Sequence, residues 1–352
     1  KTREGRPIKI ENNTDAATNG MANARVHASV LGLYDNLRVK SPMKGDAKIS
    51  WDTFMSETTS KLNELGDDKQ IVFLTSTMPS PSTKKLVSEF AEKYGNVKHV
   101  VYDAVSKSAT LDAYQAKYGK RGMANYDFSK AKTIVSVGAD FIGDWQGGGF
   151  ESDYAKKRIP EHGKMSRHIQ FETNMTLTGG SADKRYKIKP SQMGAALTAL
   201  YAELGGSVNG GKTHLSAEIK AVAKELKAAG KNGLVVSGTN DADIEAMTIA
   251  INNLLGNGGT TVDYSKRTYF RKGDDNAMNQ LIADMNSGNV GAVLIDNLNV
   301  AYALSGNDKL ASGMEKVATK VYFSEKNDET AKLCNVVCAK HSNFESWGDA
   351  KP

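Results

Sequence analysis

Cysteine is nearly absent from this sequence: among 352 residues it occurs only as Cys334 and Cys338. If the largely apolar run between them is a strand, both sulfurs lie on one face about 13 Å apart, too far for a disulfide. A thiolate-ligated iron–sulfur cluster needs several cysteines, so this pair cannot hold one. We interpret both as small core residues.

Long apolar runs are also missing. No stretch approaches the length of about 18 consecutive apolar residues that a membrane-spanning helix needs. Hydrophobic residues make up 39% and charged residues 24% of the chain, which is ordinary for a globular protein and excludes long disorder. The formal net charge is +6, but the basic residues are scattered, so nucleic acid is disfavoured as a partner. An acidic partner subunit and anionic lipid headgroups both stay open.

The fingerprints of common active sites are lacking too. There is no GxGxxG, GxxxxGK[ST] or GxSxG motif, which disfavours a free-standing nucleotide-binding protein and a serine hydrolase. His162 and His168, with Glu161 and Glu172, form a metal site only on paper, because a spacing of six residues does not bring two histidines together reliably. The remaining histidines are interpreted as surface or hydrogen-bonded side chains: His27, His99, His214 and His341.

What the sequence does contain is a repeated strand–loop–helix–strand pattern. Buried strands are predicted at 71–75, 97–102, 133–137, 234–236, 260–264 and 290–295. Helices are predicted from about Ser82 to Tyr94, from the N-cap Asp241 to Leu255, and from about Asn276 to Asn286. Because strands that alternate with helices need crossover connections, the pattern predicts an α/β fold with parallel sheets.

The length exceeds what one hydrophobic core usually serves, so two lobes are expected. We predict a β-rich N-terminal region at 1–60, a first α/β lobe with a connecting segment at 61–190, and a second α/β lobe at 191–352. Residues 168–178 and 184–190 are polar or basic, and they are interpreted as the connecting segment.

Open parallel sheets bind ligands beyond the carboxyl ends of their strands. Here those ends carry Ser76, Gly138, Ser237 and Asn299, and two of the loops meet helix N-termini, which suit phosphate. The triplet Gly147, Gly148 and Gly149 either forms a flexible surface loop or is a functional or vestigial contact to a pyrophosphate, and the loop is the simpler interpretation.

Several segments, in order, resemble the molybdopterin oxidoreductase superfamily, of the dimethyl sulfoxide reductase and formate dehydrogenase type. They are Arg3–Asn12, Leu33–Arg38, Ser41–Lys44, Ser50–Asp52, Asn297–Tyr302, Glu329–Ala331, Val336–Val337 and Glu345–Asp349. Each match alone is weak, but their order extends over nearly the whole chain. The resemblance implies two Rossmann-like lobes with a small N-terminal region.

The departures from the family pattern concern its metal ligands. The family places a cluster-closing cysteine between the hairpin at Arg3–Asn12 and the segment Leu33–Arg38, but Asn19–Arg25 contains none. No cysteine precedes Cys334 to serve as a molybdenum ligand, and Val300 and Ala301 stand where pterin binders commonly keep proline. The resemblance therefore implies an empty fold with no catalytic residues, no metal and no cofactor, in which the strand-end loops are vestigial.

Two further segments, Val137–Trp145 and Thr173–Asp183, resemble the B subunit of bacterial alternative complex III. This implies a scaffold on the periplasmic face of the inner membrane, beside haem c and quinol-binding membrane subunits, with iron–sulfur clusters on the remainder of a longer polypeptide. No nucleic acid and no direct small-molecule substrate are expected. The alternative is the catalytic half of a genuine molybdenum or tungsten bis-pterin oxidoreductase.

Overall fold

The apolar runs form buried parallel strands in the computed structural model, which describes residues 1–13, 15, 22–160 and 163–351. Its strands are β1 Thr2–Arg3, β2 Arg6–Pro7, β3 Met43–Lys44, β4 Ala47–Lys48, β5 Gln70–Thr75, β6 Val97–Val101, β7 Met123–Tyr126, β8 Thr133–Val137, β9 Arg167–Glu172, β10 Lys184–Lys187, β11 Gly233–Ser237, β12 Val262–Thr268, β13 Val290–Asp296, β14 Thr319–Ser324 and β15 Val336–Ala339.

The helices cover the sheets, and most of them begin at a side-chain cap. They are α1 Ala24–Ala28, α2 Trp51–Asn63, α3 Pro81–Tyr94, α4 Ser108–Tyr118, α5 Glu151–Ala155, α6 Leu177–Gly180, α7 Met193–Glu203, α8 Ser216–Ala229, α9 Ala242–Leu255, α10 Asp275–Asn286, α11 Val300–Ala303 and α12 Asp308–Lys316. Asp241 caps α9 as predicted, because its carboxylate accepts hydrogen bonds from the backbone N–H groups of Asp243 and Ile244.

The chain forms two compact units. Unit 1 consists of the described residues of 1–27 and 107–270. Its main sheet is parallel, with the strand order β10-β9-β8-β11. Alternate residues of β8 belong to two different apolar clusters, since Val135 packs with α7 and α8 while Ile134 packs with Phe128 and Phe141. Both faces of the sheet are therefore covered.

Unit 2 consists of the described residues of 28–106 and 271–352. Its sheet has the order β4-β3-β15-β14-β13-β5-β6, and β5, β6, β13, β14 and β15 pair in parallel. Val72 and Leu74 of β5 contribute to one apolar cluster, and Ile71 contributes to another. The predicted α/β class with two lobes of parallel βαβ units is confirmed.

The predicted boundaries at residues 60 and 190 do not match the units. The reason is long-range strand pairing, because β5 pairs with β13 and the sheet of unit 2 therefore contains strands from both halves of the chain. The predicted N-terminal region at 1–60 is also divided. Residues 1–27 belong to unit 1, whereas β3 and β4 extend the sheet of unit 2 through an antiparallel pairing with β15.

The predicted connecting segment is wrong as well. Residues 167–172 and 184–187 are the paired strands β9 and β10. Strand β9 was not predicted because it is rich in polar side chains. His168, Gln170 and Glu172 are all buried on this strand. Their hydrogen bonds to one another and to neighbouring loops compensate for burial.

The two cysteines are less alike than predicted. Cys338 lies in β15 and is fully buried, as expected for a core residue, whereas Cys334 precedes the strand and is only partly buried. Burial raises the pKa of each thiol to about 12.

Candidate functional site

The order of strands reverses once in each main sheet. In unit 1 the chain runs from β8 to β9 and β10 on one side, and β11 lies on the other side of β8. In unit 2 the reversal lies between β5 and β13. The predicted site residues follow these strands: Gly138, Gly147, Gly148, Gly149 and Ser237 in unit 1, and Ser76 and Asn299 in unit 2.

In unit 1 the crevice at the reversal is closed by the protein itself. A Cβ atom on Gly238 would lie 2.0 Å from the carbonyl oxygen of Gly138, so the two strand-end loops are in direct backbone contact. The buried Trp145 donates its indole N–H to the carbonyl oxygen of Ser237 over 2.7 Å. The space beyond β8 and β11 is thus filled by an aromatic side chain and by backbone.

A buried carboxyl group lies beside this crevice. Glu245 of α9 is 5% exposed, and it accepts a hydrogen bond of 3.1 Å from the hydroxyl of Thr239, which itself contacts the hydroxyl of Ser237. Burial raises the pKa of Glu245 to about 7, and hydrogen bonds from Ser237 and Thr239 oppose this increase only in part. Near neutral pH, the carboxyl group of Glu245 is therefore protonated in about half of the molecules.

The triplet Gly147–Gly149 has positive φ angles of 100°, 83° and 95°. Its three backbone N–H groups already have partners within the chain: the carbonyl oxygens of Asp144 and Trp145 and a carboxylate oxygen of Glu151. These donors therefore do not point at an open anion site. The glycines form a sharply turned, internally hydrogen-bonded loop.

Replacement of all three glycines by alanine is expected to destabilise unit 1 by about 1 to 2 kcal/mol per residue, because L-residues avoid positive φ. Urea unfolding of the purified protein would measure this loss. Gly180→Ala is the matched control, since an added Cβ there meets nothing within 4 Å and its φ is not in the positive range. An unchanged free energy of unfolding in the triple variant would contradict this account of the loop.

The loop after β9 is fixed by two carboxylates. Glu172 accepts the hydroxyl of Thr176 at 2.7 Å and the Arg185 guanidinium at 2.5 Å. Asp140 accepts both the hydroxyl and the backbone N–H of Thr178, at 2.7 and 3.0 Å. The hydrogen-bond donors at this strand end are therefore already bound to acidic side chains of the protein.

In unit 2 the loop that carries Ser76 is occupied in the same way. The carboxylate of Asp103, which follows β6, is 4% exposed. It accepts hydrogen bonds from the backbone N–H and the hydroxyl of Thr77 at 2.8 and 2.6 Å, and from the backbone N–H groups of Lys272 and Gly273 at 3.1 and 2.9 Å. Four hydrogen-bond donors thus converge on the side chain of Asp103.

A second carboxylate lies at the N-terminus of α3. Asp349 accepts hydrogen bonds from the hydroxyl of the cap residue Ser80 and, at 2.9 Å, from the backbone N–H of Ser82. These bonds lower the pKa of Asp349. The helix end that suits a phosphate group is therefore neutralised by a side chain of the same unit.

Asn299 caps the short helix α11. Its side-chain oxygen accepts hydrogen bonds from the backbone N–H of Tyr302 and the hydroxyl of Thr330, and its amide donates to Glu329 over 2.7 Å. The neighbouring Asp296 forms an ion pair of 2.7 Å with Lys340. All polar atoms of the Asn299 side chain thus take part in bonds within unit 2.

A groove of about 580 Å³ in unit 2 was not predicted. Its lining includes Tyr34, Trp51 and His341 and the ion pair between Arg38 and Glu345. The guanidinium of Arg38 lowers the pKa of Glu345 to about 2. Part of the groove belongs to Leu33–Arg38, one of the segments on which the family resemblance rests.

Among the described residues, no three His, Cys, Asp or Glu side chains are grouped closely enough to hold a metal ion. His168 is buried between Tyr154 and Gln170, at 3.1 and 3.3 Å, and Glu172 faces Arg185. Glu161 and His162 lie outside the described residues. No described helix is both long and apolar enough to pass through a lipid bilayer.

No family model matches the chain, but several known proteins are similar to it. The menaquinone reductase, molybdopterin-binding-like subunit of Nitratidesulfovibrio vulgaris is 22% identical over 98% of the chain and 56% of its own length. Acetylene hydratase from Pelobacter acetylenicus superposes with a TM-score of 0.64 at 11% identity, over 90% of the chain and 57% of its own. The chain has the molybdopterin oxidoreductase fold.

The predicted resemblance to this superfamily is confirmed. A chain of the formyltransferase/hydrolase complex (FhcABCD) from Methylorubrum extorquens also has a similar fold, with a TM-score of 0.57 and 14% identity over 86% of the present chain and 87% of its own length. The chain spans little more than half the length of the menaquinone reductase subunit and of acetylene hydratase.

Sequence reasoning found the strand-end loops of this molybdopterin oxidoreductase fold but missed the carboxylates that occupy them. Asp103, Asp140 and Asp349 carry no motif of their own. One signal was present in the sequence: Asp103 and Asp140 each stand just beyond a predicted strand, where loops of a parallel sheet converge. Glu245 gave no signal, because a glutamate in an amphipathic helix normally faces solvent.

Proposed function

We propose that this chain is a non-catalytic scaffold with an empty molybdopterin-type domain, within a subunit of a quinone-linked respiratory electron-transfer complex. The observation that carries the proposal is the loop after β5. There the carboxylates of Asp103 and Asp349 take the backbone and hydroxyl donors that a phosphate group would need.

The residues present do not fit a pterin diphosphate with its metal. Direct contact between the loops at Gly138 and Gly238 leaves no opening between β8 and β11. Cys338 is fully buried in β15, and among the described residues neither cysteine belongs to a group of three side chains that could hold a metal ion.

The name of the similar subunit, a menaquinone reductase, supports a quinone-linked complex. More finely, we propose the B subunit of an alternative complex III on the periplasmic face of the inner membrane. The segments Val137–Trp145 and Thr173–Asp183 support this assignment. Electrons would then pass from quinol through iron–sulfur clusters and haem c on other parts of the complex, and no bond would be made or broken in this chain.

We expect the purified native complex to contain iron but no molybdenum, tungsten or pterin. Elemental analysis, together with the fluorescence of the oxidised pterin, would measure all four on a sample that oxidises quinol. The internal control is iron, whose presence shows that cofactors survived purification. Molybdenum or tungsten in stoichiometric amount, accompanied by pterin, would contradict the proposal and favour the catalytic bis-pterin alternative.

A further inference from the structure

The loop between β9 and α6 in unit 1 displays two large apolar side chains. Met175 is 74% exposed and Leu177, at the start of α6, is 67% exposed. Single exposed apolar residues are common on protein surfaces. These two side chains lie two positions apart on a loop that is held by hydrogen bonds to the rest of unit 1. Such a combination is less common than a single exposed apolar residue.

Three threonine hydroxyls hold the loop. Thr173 donates to the carbonyl oxygen of Ile188 at 2.8 Å, and Thr176 and Thr178 donate to Glu172 and Asp140, each at 2.7 Å. The residues between these anchors carry the exposed side chains. A loop held in this way loses little conformational entropy when it binds, which favours affinity.

The anchor Glu172 is itself held by a buried chain of hydrogen bonds. Gln170 donates to Glu172 at 3.3 Å, and its carbonyl oxygen lies 3.3 Å from Nε2 of His168. Burial lowers the pKa of His168 to about 4, so its ring is neutral at physiological pH. The hydroxyl of Tyr154 lies 3.1 Å from the other ring nitrogen. A continuous chain of hydrogen bonds therefore lies beneath the loop.

Two exposed lysines lie beside the loop: Lys187, the last residue of β10, and Lys189. Ile188, between them, is the partner of Thr173. Within residues 1–13, 15, 22–160 and 163–351, neither lysine is within ion-pair distance of a carboxylate. Glu172 is paired with Arg185, and Asp183 is paired with Arg158. The two lysines thus add positive charge beside the loop.

We propose that Met175, Leu177, Lys187 and Lys189 form a docking surface for a protein whose apolar pocket is rimmed by carboxylates. Positive and negative patches that face each other set orientation and association rate, while apolar side chains in a pocket supply affinity. A protein is favoured over a membrane because two apolar side chains on a hydrogen-bonded loop suit a shaped pocket, whereas adsorption to lipid increases with apolar area. The inference rests on the proposed function in one respect: it takes the partner to be another subunit.

The test uses the full-length protein in its assembled complex, purified from solubilised membranes. A photo-crosslinking amino acid at position 175 should attach to one subunit, at a peptide that contains Asp or Glu. The variant Met175→Ser/Leu177→Ser should reduce retention of that subunit by about tenfold or more, since each side chain contributes on the order of 1 kcal/mol. Lys187→Glu/Lys189→Glu should weaken retention most at low salt.

Matched controls lie in the same unit. Leu254→Ser changes another exposed apolar side chain, and Lys220→Glu/Lys224→Glu reverses two exposed lysines of α8. Neither should alter retention. The far-ultraviolet circular dichroism and unfolding of each purified variant would show that loss of the partner is not loss of the fold.

Full retention in both test variants without a crosslinked peptide would overturn the inference. Binding to phosphatidylcholine and phosphatidylglycerol vesicles that requires Met175, with no protein crosslink, would assign the surface to a membrane and overturn it too. Failure of the proposed function looks different: the crosslink to an acidic protein would persist although the complex neither oxidises nor reduces quinones.

Discussion

Val135→Asp is expected to unfold unit 1, and Leu294→Asp is expected to unfold unit 2. Val135 is fully buried in β8, between β9 and β11, and Leu294 is 6% exposed in β13, between β5 and β14. A carboxylate at either position would be buried without a partner, at a cost of about 4 to 5 kcal/mol or more. This is comparable with the whole stability of an ordinary domain.

The expected cellular result is loss of the protein and not loss of catalysis. If the chain is the scaffold proposed above, the complex should fail to accumulate in membranes, and quinol-dependent activity should fall in proportion to its amount. Quantitative immunoblotting with activity on the same membranes would separate the two. Val208→Asp and Leu86→Asp are the matched controls, because these side chains are 38% and 63% exposed. A variant that accumulated normally but lost activity would contradict the scaffold proposal.

The central strands were predictable because their apolar character is concentrated in short runs. Residues 71–75, 133–137 and 290–295 are strands in the structure as predicted. Strand β9 was not predictable, since its core positions are His168, Gln170 and Glu172, which look like surface residues until their hydrogen-bond partners are known. Burial of polar groups depends on partners that are distant in sequence.

The division into units was missed for a similar reason. Local patterns do not show that β5 pairs with β13, because nothing in either strand specifies a neighbour so far along the chain. The candidate loops could be placed from strand ends alone. The sequence could not show whether the hydrogen-bond donors of these loops were already bound, because that depends on side chains such as Asp103, which lies just beyond the adjacent strand β6.

Two buried groups of unit 1 should make its stability depend on pH in opposite ways. The pKa of Glu245 is raised by burial from 4.5 to about 7. Between these values the folded state holds a proton that the unfolded state has lost, so this group reduces stability as the pH rises from 4.5 to 7. The pKa of His168 is lowered by burial from 6.5 to about 4. Here the unfolded state holds the extra proton, so stability increases as the pH rises from 4 to 6.5.

For each group, the pKa in the folded state differs from that in the unfolded state by roughly 2.5 units. This difference corresponds to a change of about 3 kcal/mol in the free energy of unfolding across the full pH window. Because the windows overlap and the signs differ, the two contributions should nearly cancel in the wild-type protein between pH 4.5 and 6.5. Variants should separate them. Glu245→Gln keeps hydrogen-bonding capacity without the charge, and it should stabilise unit 1 relative to wild type above pH 7, by up to about 3 kcal/mol. The gain should disappear near pH 4.5.

His168→Gln should show the opposite pattern. Relative to wild type it should gain stability as the pH falls from 6.5 towards 4, because the cost of keeping a buried imidazole neutral is removed, while its lost packing and hydrogen bonds produce a constant decrease at all pH values. Urea unfolding from pH 4 to 8 in a Trp51→Phe/Trp347→Phe background would measure both, since Trp145 is then the sole tryptophan and is buried in unit 1. Glu203→Gln serves as the control, because Glu203 is exposed at the end of α7. A stability difference between Glu245→Gln and wild type that did not change with pH would show that Glu245 is ionised in the folded protein. The interpretation of Glu245 as a buried, protonated carboxyl group beside the closed crevice would then be wrong.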